Sequence, residues 1–273
     1  MTSMKFGISV ANFLVSTNPQ DYIELAKKAE DAGWDGFFLW DHINWREGKT
    51  NHDPWILLAA IASHTDIIKI GTAITPLPRR RPHKVARETV TIDHISKGRL
   101  ILGVGLGWPP KKEFQAFGEP TDKTVRAKML DESLEIITGL WTGQTLHYNG
   151  EYFTVDGVQF RPTPFEKKQI PIWVAGTWPK KRPFRRAAKY QGVVPMGTRN
   201  SGEFRAMMDY VKKHRKLKEP FDWVSSSSYL SGPKRNRYVS EFKDVGANWY
   251  VESWGVQPFE KQLKRIQRGP PDI

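Results

Sequence analysis

Residues 67–108 read IIKIGTAITPLPRRRPHKVARETVTIDHISKGRLILGVGLGW, and their order decides the fold. Ile67 to Thr75 is a strand candidate with apolar residues on both faces. After a proline-rich turn, Pro82 to Ile95 carries Val85, Val90 and Ile92 at helical spacing, with its proline suited to a first turn. Leu100 to Val104 is a second apolar strand. Strands without a polar face belong to a parallel sheet covered by helices. The stretch is therefore a strand–helix–strand unit.

The same alternation extends in both directions. Towards the N-terminus lie a strand at Lys5 to Val10, a helix from Pro19 to Ala32 ended by Gly33, a strand at Phe37 to Trp40 and a helix at Pro54 to His64. The His52-Asp53-Pro54 group reads as the cap of that second helix. Towards the C-terminus, Thr124 to Leu140 is a long helix, and LHYNGEYFTVDGVQF reads as a β-hairpin excursion over about residues 144–160 with Asn149-Gly150 at its turn. Beyond it come a strand at Ile170 to Val174, a helix at Arg182 to Lys189 and a strand at Gly192 to Pro195. Phe204 to Leu217 is helical, Trp223 to Leu230 extended, Val239 to Val245 helical, Asn248 to Glu252 extended, and Phe259 to Arg268 the final helix. Eight parallel strand candidates alternating with helices predict an α/β chain folded as one (β/α)8 TIM barrel over residues 1–273, with a small β-hairpin insertion. An open doubly wound sheet would place a glycine fingerprint after the first strand, where this chain has SVANFLVS.

The 273 residues include no cysteine, 42 Lys plus Arg and 29 Asp plus Glu, a formal net charge of +13. Disulfides, thiolate metal sites and a cysteine nucleophile are thereby excluded. With 39% hydrophobic and 12% aromatic residues, the chain can bury a large core. No apolar run is long enough to span a membrane. MTSMKFGISVANF lacks the order of a signal peptide, so a cytoplasmic protein is expected. The bases gather at Arg79-Arg80-Arg81, at Lys180 to Arg186, at Lys212 to Lys218 and at Lys261 to Arg268. No nucleic-acid-binding motif accompanies them. The last two clusters read as solvated helix faces, and the first two flank strand ends where an anionic ligand would sit.

Barrel chemistry sits at the carboxyl ends of the strands. Those ends offer Asn12 and Phe13, Asp41, His42 and Trp45, Ala73, Ile74 and Thr75, Gly105, Gly107 and Trp108, Gly176, Thr177 and Trp178, and Trp254. Glycines, hydroxyls and aromatics with one Asp-His pair suit a planar ring with a phosphorylated tail, and no metal site is expected. His42 is the candidate proton carrier with Asp41 beside it; the alternative is an ordinary hydrogen-bonded loop pair. Phe13, Trp45 and Trp254 are candidates for the substrate pocket. AGTWPKKRPFRRAAKY (Ala175 to Tyr190) combines a small-residue loop, Thr177 and a helix start, with Arg186 expected to support a phosphate there. Arg79 to Arg81 are expected either to attract an anionic tail or acidic substrate, or to form a solvated loop.

AEDAGWDGFFLWDH (29–42), DPWILLAAIASHTDIIKIGTAITPLPRRRP (53–82), ISKGRLILGVGLGW (95–108), RAKMLDESLEIITGLWTG (126–143) and IPIWVAGTWPKKRPFRRAAKYQGVVP (170–195) together resemble the bacterial luciferase-like oxidoreductase superfamily. VGANWYVESWG (245–255) resembles its last strand more weakly. The resemblance implies a cofactor that is flavin mononucleotide (FMN) or the deazaflavin coenzyme F420. It implies a non-prolyl cis peptide at Ala73–Ile74 behind the ring, a catalytic histidine at His42 and a phosphate loop at AGTW. Trp108 stands where the deazaflavin-dependent sugar-phosphate dehydrogenases carry an acid. On that departure FMN is expected, in a monooxygenase that uses reduced FMN and O2 on a small organic substrate. Reduced flavin would come from a separate reductase, and a homodimer is expected. The alternatives are F420-dependent hydride transfer, or a cofactor-binding barrel without turnover.

Overall fold

The computed structural model describes residues 3–13, 18–45, 48, 50–167, 169–228 and 230–273, except the side chain of residue 167. Eight parallel strands close into a barrel: β1 (Lys5–Val10), β2 (Gly36–Leu39), β3 (Lys69–Pro76), β4 (Leu100–Gly105), β7 (Ile172–Thr177), β8 (Gly192–Met196), β9 (Asp222–Ser228) and β10 (Trp249–Ser253). β10 pairs back onto β1, with Lys5 opposite Trp249 and Ser9 opposite Ser253. The helices α1 (Pro19–Asp31), α2 (Pro54–His64), α3 (Pro82–Ile95), α5 (Lys123–Trp141), α6 (Lys181–Ala187), α7 (Ser201–His214), α8 (Gly232–Asp244) and α9 (Phe259–Ile266) follow the strands. No helix among the described residues is long and apolar enough to cross a membrane.

Alternation along each strand divides the apolar residues between two cores. The outward faces pack under the helices, where Leu25, Leu58, Val85, Leu134, Phe184 and Phe204 are buried. Phe38, Ile101, Trp173, Val224, Trp249 and Val251 fill the barrel itself. The rings of Phe38, Trp173 and Trp249 meet at centroid distances of 5.1–6.1 Å and form an aromatic floor. Below it, the partly buried Asp222 carboxylate accepts the indole N–H groups of Trp173 and Trp249 at 2.9 and 3.1 Å. A filled barrel of this kind leaves only its upper end available to a ligand.

Local chemistry explains where elements begin. Asp53 caps α2, accepting the N–H groups of Trp55 and Ile56 at 2.8 and 3.0 Å. Asp122 does the same for α5 through Thr124 and Val125, both at 2.8 Å. The expected hairpin is present as β5 (Leu146–Asn149) and β6 (Thr154–Val158), but its turn differs from the expectation. The connection is the four residues 150–153, because the Glu132 carboxylate on α5 accepts the N–H groups of Glu151, Tyr152 and Phe153 at 2.8–3.0 Å. α8 begins seven residues before the expected Val239, since its first two turns are polar and carry no apolar stripe. Two expected ranges include residues outside those described, Tyr229 in the extended run and the extreme N-terminus. A short helix α4 (Pro110–Glu113), absent from the sequence reading, follows β4 and proves central to the site.

Candidate active site

Above the aromatic floor the inward positions become small: Ser9, Ala73, Gly105, Ala175, Val194, Ser226 and Ser253 by alternation along their strands. Ala73, Ala175, Val194, Ser226 and Ser253 remain partly exposed although they point into the barrel. The barrel opens above the floor on these strands, while Trp40, the inward position after Phe38, donates its indole N–H to Ser9 Oγ at 2.9 Å. The peptide bond between Ala73 and Ile74 is cis, as the resemblance implied. The β3–β4 register shifts between Thr72 and Thr75. β4 accommodates this with glycine: a Cβ on Gly103 would lie 2.1 Å from the Thr72 carbonyl oxygen, and one on Gly105 would lie 2.9 Å from Ile74 Cγ2. Gly103 and Gly105 thus allow β4 to pack closely against β3.

His42 stands at the rim directly after β2. Asn12, fully buried at the end of β1, holds its backbone: Asn12 Nδ2 donates to the carbonyls of His42 and His52 at 2.9 and 2.8 Å, and Asn12 Oδ1 accepts the His42 N–H at 3.2 Å. The imidazole packs among Trp45, Phe13 and Trp40 at centroid distances of 4.6, 5.6 and 6.0 Å. Its Nδ1 is buried and lies 3.3 Å from Oε1 of Glu113. Glu113, at the end of α4, is itself buried and accepts the N–H groups of Ile43 and Asn44, both at 3.0 Å. Burial alone would raise its carboxyl, but the His42 ring and those two amides outweigh it and hold Glu113 below the usual carboxylate range. Nδ1 thus faces a carboxylate at ion-pair distance without the alignment of a hydrogen bond, and Nε2 lies on the opposite side of the ring.

Asp41 has a different role from the proton chemistry expected of it. Its side chain is fully buried; Oδ1 accepts from Arg79 Nη2 at 2.8 Å and from Arg80 Nη2 at 3.0 Å, and Oδ2 lies 3.2 Å from Trp55 Nε1. Arg79 Nη2 also donates to the Asp41 carbonyl at 2.7 Å and lies 3.6 Å from Glu113 Oε2. The Arg80 guanidinium rests 5.7 Å from the Trp55 ring centroid. These two arginines neutralise carboxylates inside the β2–β3 corner and are not free to steer a ligand tail. Arg81 alone of the run is exposed, at the start of α3.

The remaining expected residues divide by strand parity. Thr177 is exposed at the end of β7 on its inward side, while Gly176 and Trp178 point outward. A Cβ on Gly176 would lie 2.4 Å from Pro183, and the Trp178 ring packs on Phe184 and Tyr210. Arg186 turns away from the mouth to α5, where its Nε and Nη2 donate to the Asp131 carboxylate at 2.5 and 2.8 Å. Trp254 faces outward as well: its indole donates to Glu252 at 2.8 Å and packs on Trp34 at 6.3 Å, away from the mouth. Thr75 is fully buried, donating to Thr72 Oγ1 at 2.8 Å. Phe13 is buried beneath Trp45, which stacks over it at 5.9 Å and meets the exposed Trp108 at 4.9 Å. Thus Trp45 and Trp108 wall the mouth beside His42, and Ala73, Ile74 and Thr177 border it. Glu113 was missed; its signal is KKEF, five residues beyond the tryptophan that replaces the expected acid.

The sequence model for luciferase-like monooxygenases matches residues 4–269. An F420-dependent glucose-6-phosphate dehydrogenase from Amycolatopsis mediterranei is 32% identical over 178 residues, covering 64% of this chain and 51% of that protein. The chain thus spans about half the length of this relative. A 5,10-methylenetetrahydromethanopterin reductase from Archaeoglobus fulgidus is 29% identical over 238 residues, 86% of this chain and 66% of the relative. Among solved structures, an F420-dependent secondary alcohol dehydrogenase in complex with an F420-acetone adduct superposes with a TM-score of 0.81 at 16% identity, covering 99% of both chains. The monooxygenase RslO1 from Streptomyces bottropensis gives 0.78 at 19% identity and covers 97% of both. With the closed barrel and a sequence match along nearly its whole length, the chain belongs to the luciferase-like superfamily of flavin- and F420-dependent oxidoreductases.

Proposed function

We propose that this protein is an F420-dependent oxidoreductase that transfers hydride between its deazaflavin and an alcohol or carbonyl carbon. The observation that carries this reading is the His42–Glu113 pair, with Nδ1 3.3 Å from the carboxylate. Removing hydride from an alcohol requires a base for the hydroxyl proton, and a histidine backed by a buried carboxylate is built for that task. Glu113, reached from α4, supplies this corner with a carboxylate that acts as the partner of His42, not as a replacement for the acid missing at Trp108. The relatives named above as F420-dependent dehydrogenases support the same choice. Small inward residues on most strands above the aromatic floor suit a tricyclic ring, so the residues present fit the group.

When bound, the deazaflavin supplies a two-electron hydride acceptor. His42 takes the hydroxyl proton at Nε2, and Glu113 stabilises the resulting imidazolium through Nδ1–H. Trp45, Trp108 and Phe13 surround the imidazole with apolar surface, which strengthens that charge pair by excluding water. In the reverse direction the same imidazolium returns the proton to a carbonyl oxygen.

Titration with oxidised F420 and with FMN tests the reading directly. F420 is expected to bind tightly and to be reduced by a panel of small alcohols. His42→Ala is expected to lower turnover about 10²-fold or more while leaving F420 affinity within a few-fold. Tight binding of FMN alone, with oxygen consumed during turnover, would reverse the assignment to the monooxygenase reading.

A further inference from the structure

Trp108 is 64% exposed, yet the loop that carries it is anchored from behind. Arg126, buried on α5, donates to the carbonyls of Leu106 and Gly107 at 2.8 and 3.0 Å, and its guanidinium lies 4.6 Å from the Phe114 ring centroid. Gly107 packs so closely that a Cβ there would lie 2.7 Å from Pro76 and 2.8 Å from Phe114. The backbone that leads into Trp108 is thus gripped by buried groups, while its ring meets one aromatic partner among the described residues. That partner is Trp45, at a centroid distance of 4.9 Å with 55° between the planes. Trp45 in turn lies 4.6 Å from the His42 ring and stacks on buried Phe13 at 5.9 Å. Elsewhere in this basic chain cations cover tryptophan faces: Lys181 lies 3.8 Å from the Trp178 ring centroid and Lys212 lies 5.8 Å from that of Trp223. Among the described residues no cation lies over Trp108. An indole left largely in water forgoes the stabilisation that burying its ring would bring. A loop anchored in this way, two ring contacts from His42, holds that ring open for a guest.

We propose that Trp108 is a specificity-determining residue: with Trp45 it forms an aromatic notch that takes a flat apolar ring attached to the substrate carbon facing His42. The substrate class is then an aryl-substituted secondary alcohol or the corresponding ketone. The identity of the reacting carbon rests on the hydride-transfer reading above; the notch itself does not. Aromatic rings attract one another in offset-stacked or edge-to-face arrangements at centroid distances of about 4.5–7 Å, and two indole planes at 55° offer both to one guest ring. Trp108 acts on binding and not on the proton, so its loss raises KM and leaves kcat.

The test compares wild type with Trp108→Ala and Trp108→Phe, each confirmed as folded by circular dichroism and sized by sedimentation. With F420 loaded, 1-phenylethanol and 2-propanol present the same reacting carbon with and without the ring. Trp108→Ala is expected to raise the KM for 1-phenylethanol about tenfold at nearly unchanged kcat and to leave that for 2-propanol within about twofold. Trp108→Phe, which keeps a ring, is expected to retain most of the preference. Saturation-transfer NMR of cofactor-free protein with 1-phenylethanol reads the notch without turnover: its ring protons should take up saturation from wild type and lose it with Trp108→Ala. An equal KM ratio for the two alcohols in wild type and Trp108→Ala would overturn the proposal, as would reduction of F420 by 2-propanol with no preference for 1-phenylethanol. A wild-type dimer that Trp108→Ala disperses would overturn it too, because a second copy would then be what covers the ring. Reduction of F420 by neither alcohol, with the NMR contact retained in wild type and lost in Trp108→Ala, would support the notch and count against the hydride-transfer reading alone.

Discussion

Replacing Asp41 with asparagine isolates the electrostatic construction beneath the site. The substitution preserves shape and removes one buried negative charge from between two guanidiniums, Arg79 at 2.8 Å and Arg80 at 3.0 Å. The Arg79 side chain is only 1% exposed, and its Nε and Nη1 already lack partners. Its remaining carboxylate is Glu113 at 3.6 Å. Breaking a buried pair in this way costs roughly 3–5 kcal/mol. At about 2–4 °C per kcal/mol for a chain of this size, the melting temperature should fall by roughly 6–20 °C. Calorimetric melts at pH 7 measure it, and a loss below about 2 °C would refute the reasoning. The triple variant Asp41→Leu/Arg79→Met/Arg80→Met should recover most of the stability, because it removes the charges together. The pH dependence has a definite sign. Burial raises the Asp41 carboxyl, and the Arg80 and Arg79 charges more than offset it, so the folded pKa lies below the ordinary value. Stability from a depressed carboxylate is complete above the unfolded pKa, about 3.9, and is lost as pH falls through the folded one. The advantage of wild type over Asp41→Asn should therefore hold from neutral pH to about 4 and shrink only below it.

Glu113→Gln keeps the shape of α4 but removes the carboxylate facing His42; kcat should fall about tenfold or more with ring affinity little changed, and the pH–kcat profile should change shape. Steady-state kinetics across pH measure this, and an unchanged profile would return Glu113 to a purely structural role. Gly107→Ala should cost about 1–3 kcal/mol in a urea or thermal melt. Gly107 has φ +79°, and a Cβ there would lie 2.7 Å from Pro76 Cβ and 2.8 Å from Phe114. A stability equal to wild type would mean that the loop after β4 relaxes freely.

The barrel was legible because each of its strands announces itself locally. GFFL, KIGTAITP and LILGVG are apolar on both faces and are separated by helices whose caps and stripes can be read in place. The hairpin turn was misread because its geometry is imposed from outside, by a carboxylate on α5 that lies 19–21 residues away from the amides it binds. Site residues followed the same division. The place of His42 at the rim of the barrel was legible from its position after a strand. Strand parity, which depends on register, was not legible from composition; it turned Trp254, Gly176 and Trp178 outward although each lies at a strand end beside a residue that faces in.

Charge was the least legible property, because a basic run in a sequence does not state what it faces. Arg79 and Arg80 find their carboxylate at Asp41, 38 and 39 positions earlier, and Arg186 finds Asp131, 55 positions earlier. Each pairing withdraws a cation that looked available to a ligand. The cations that matter to an anionic ligand are those the fold leaves unneutralised; of the run 79–81 only Arg81 is exposed, at the start of α3, while its two neighbours are spent on Asp41.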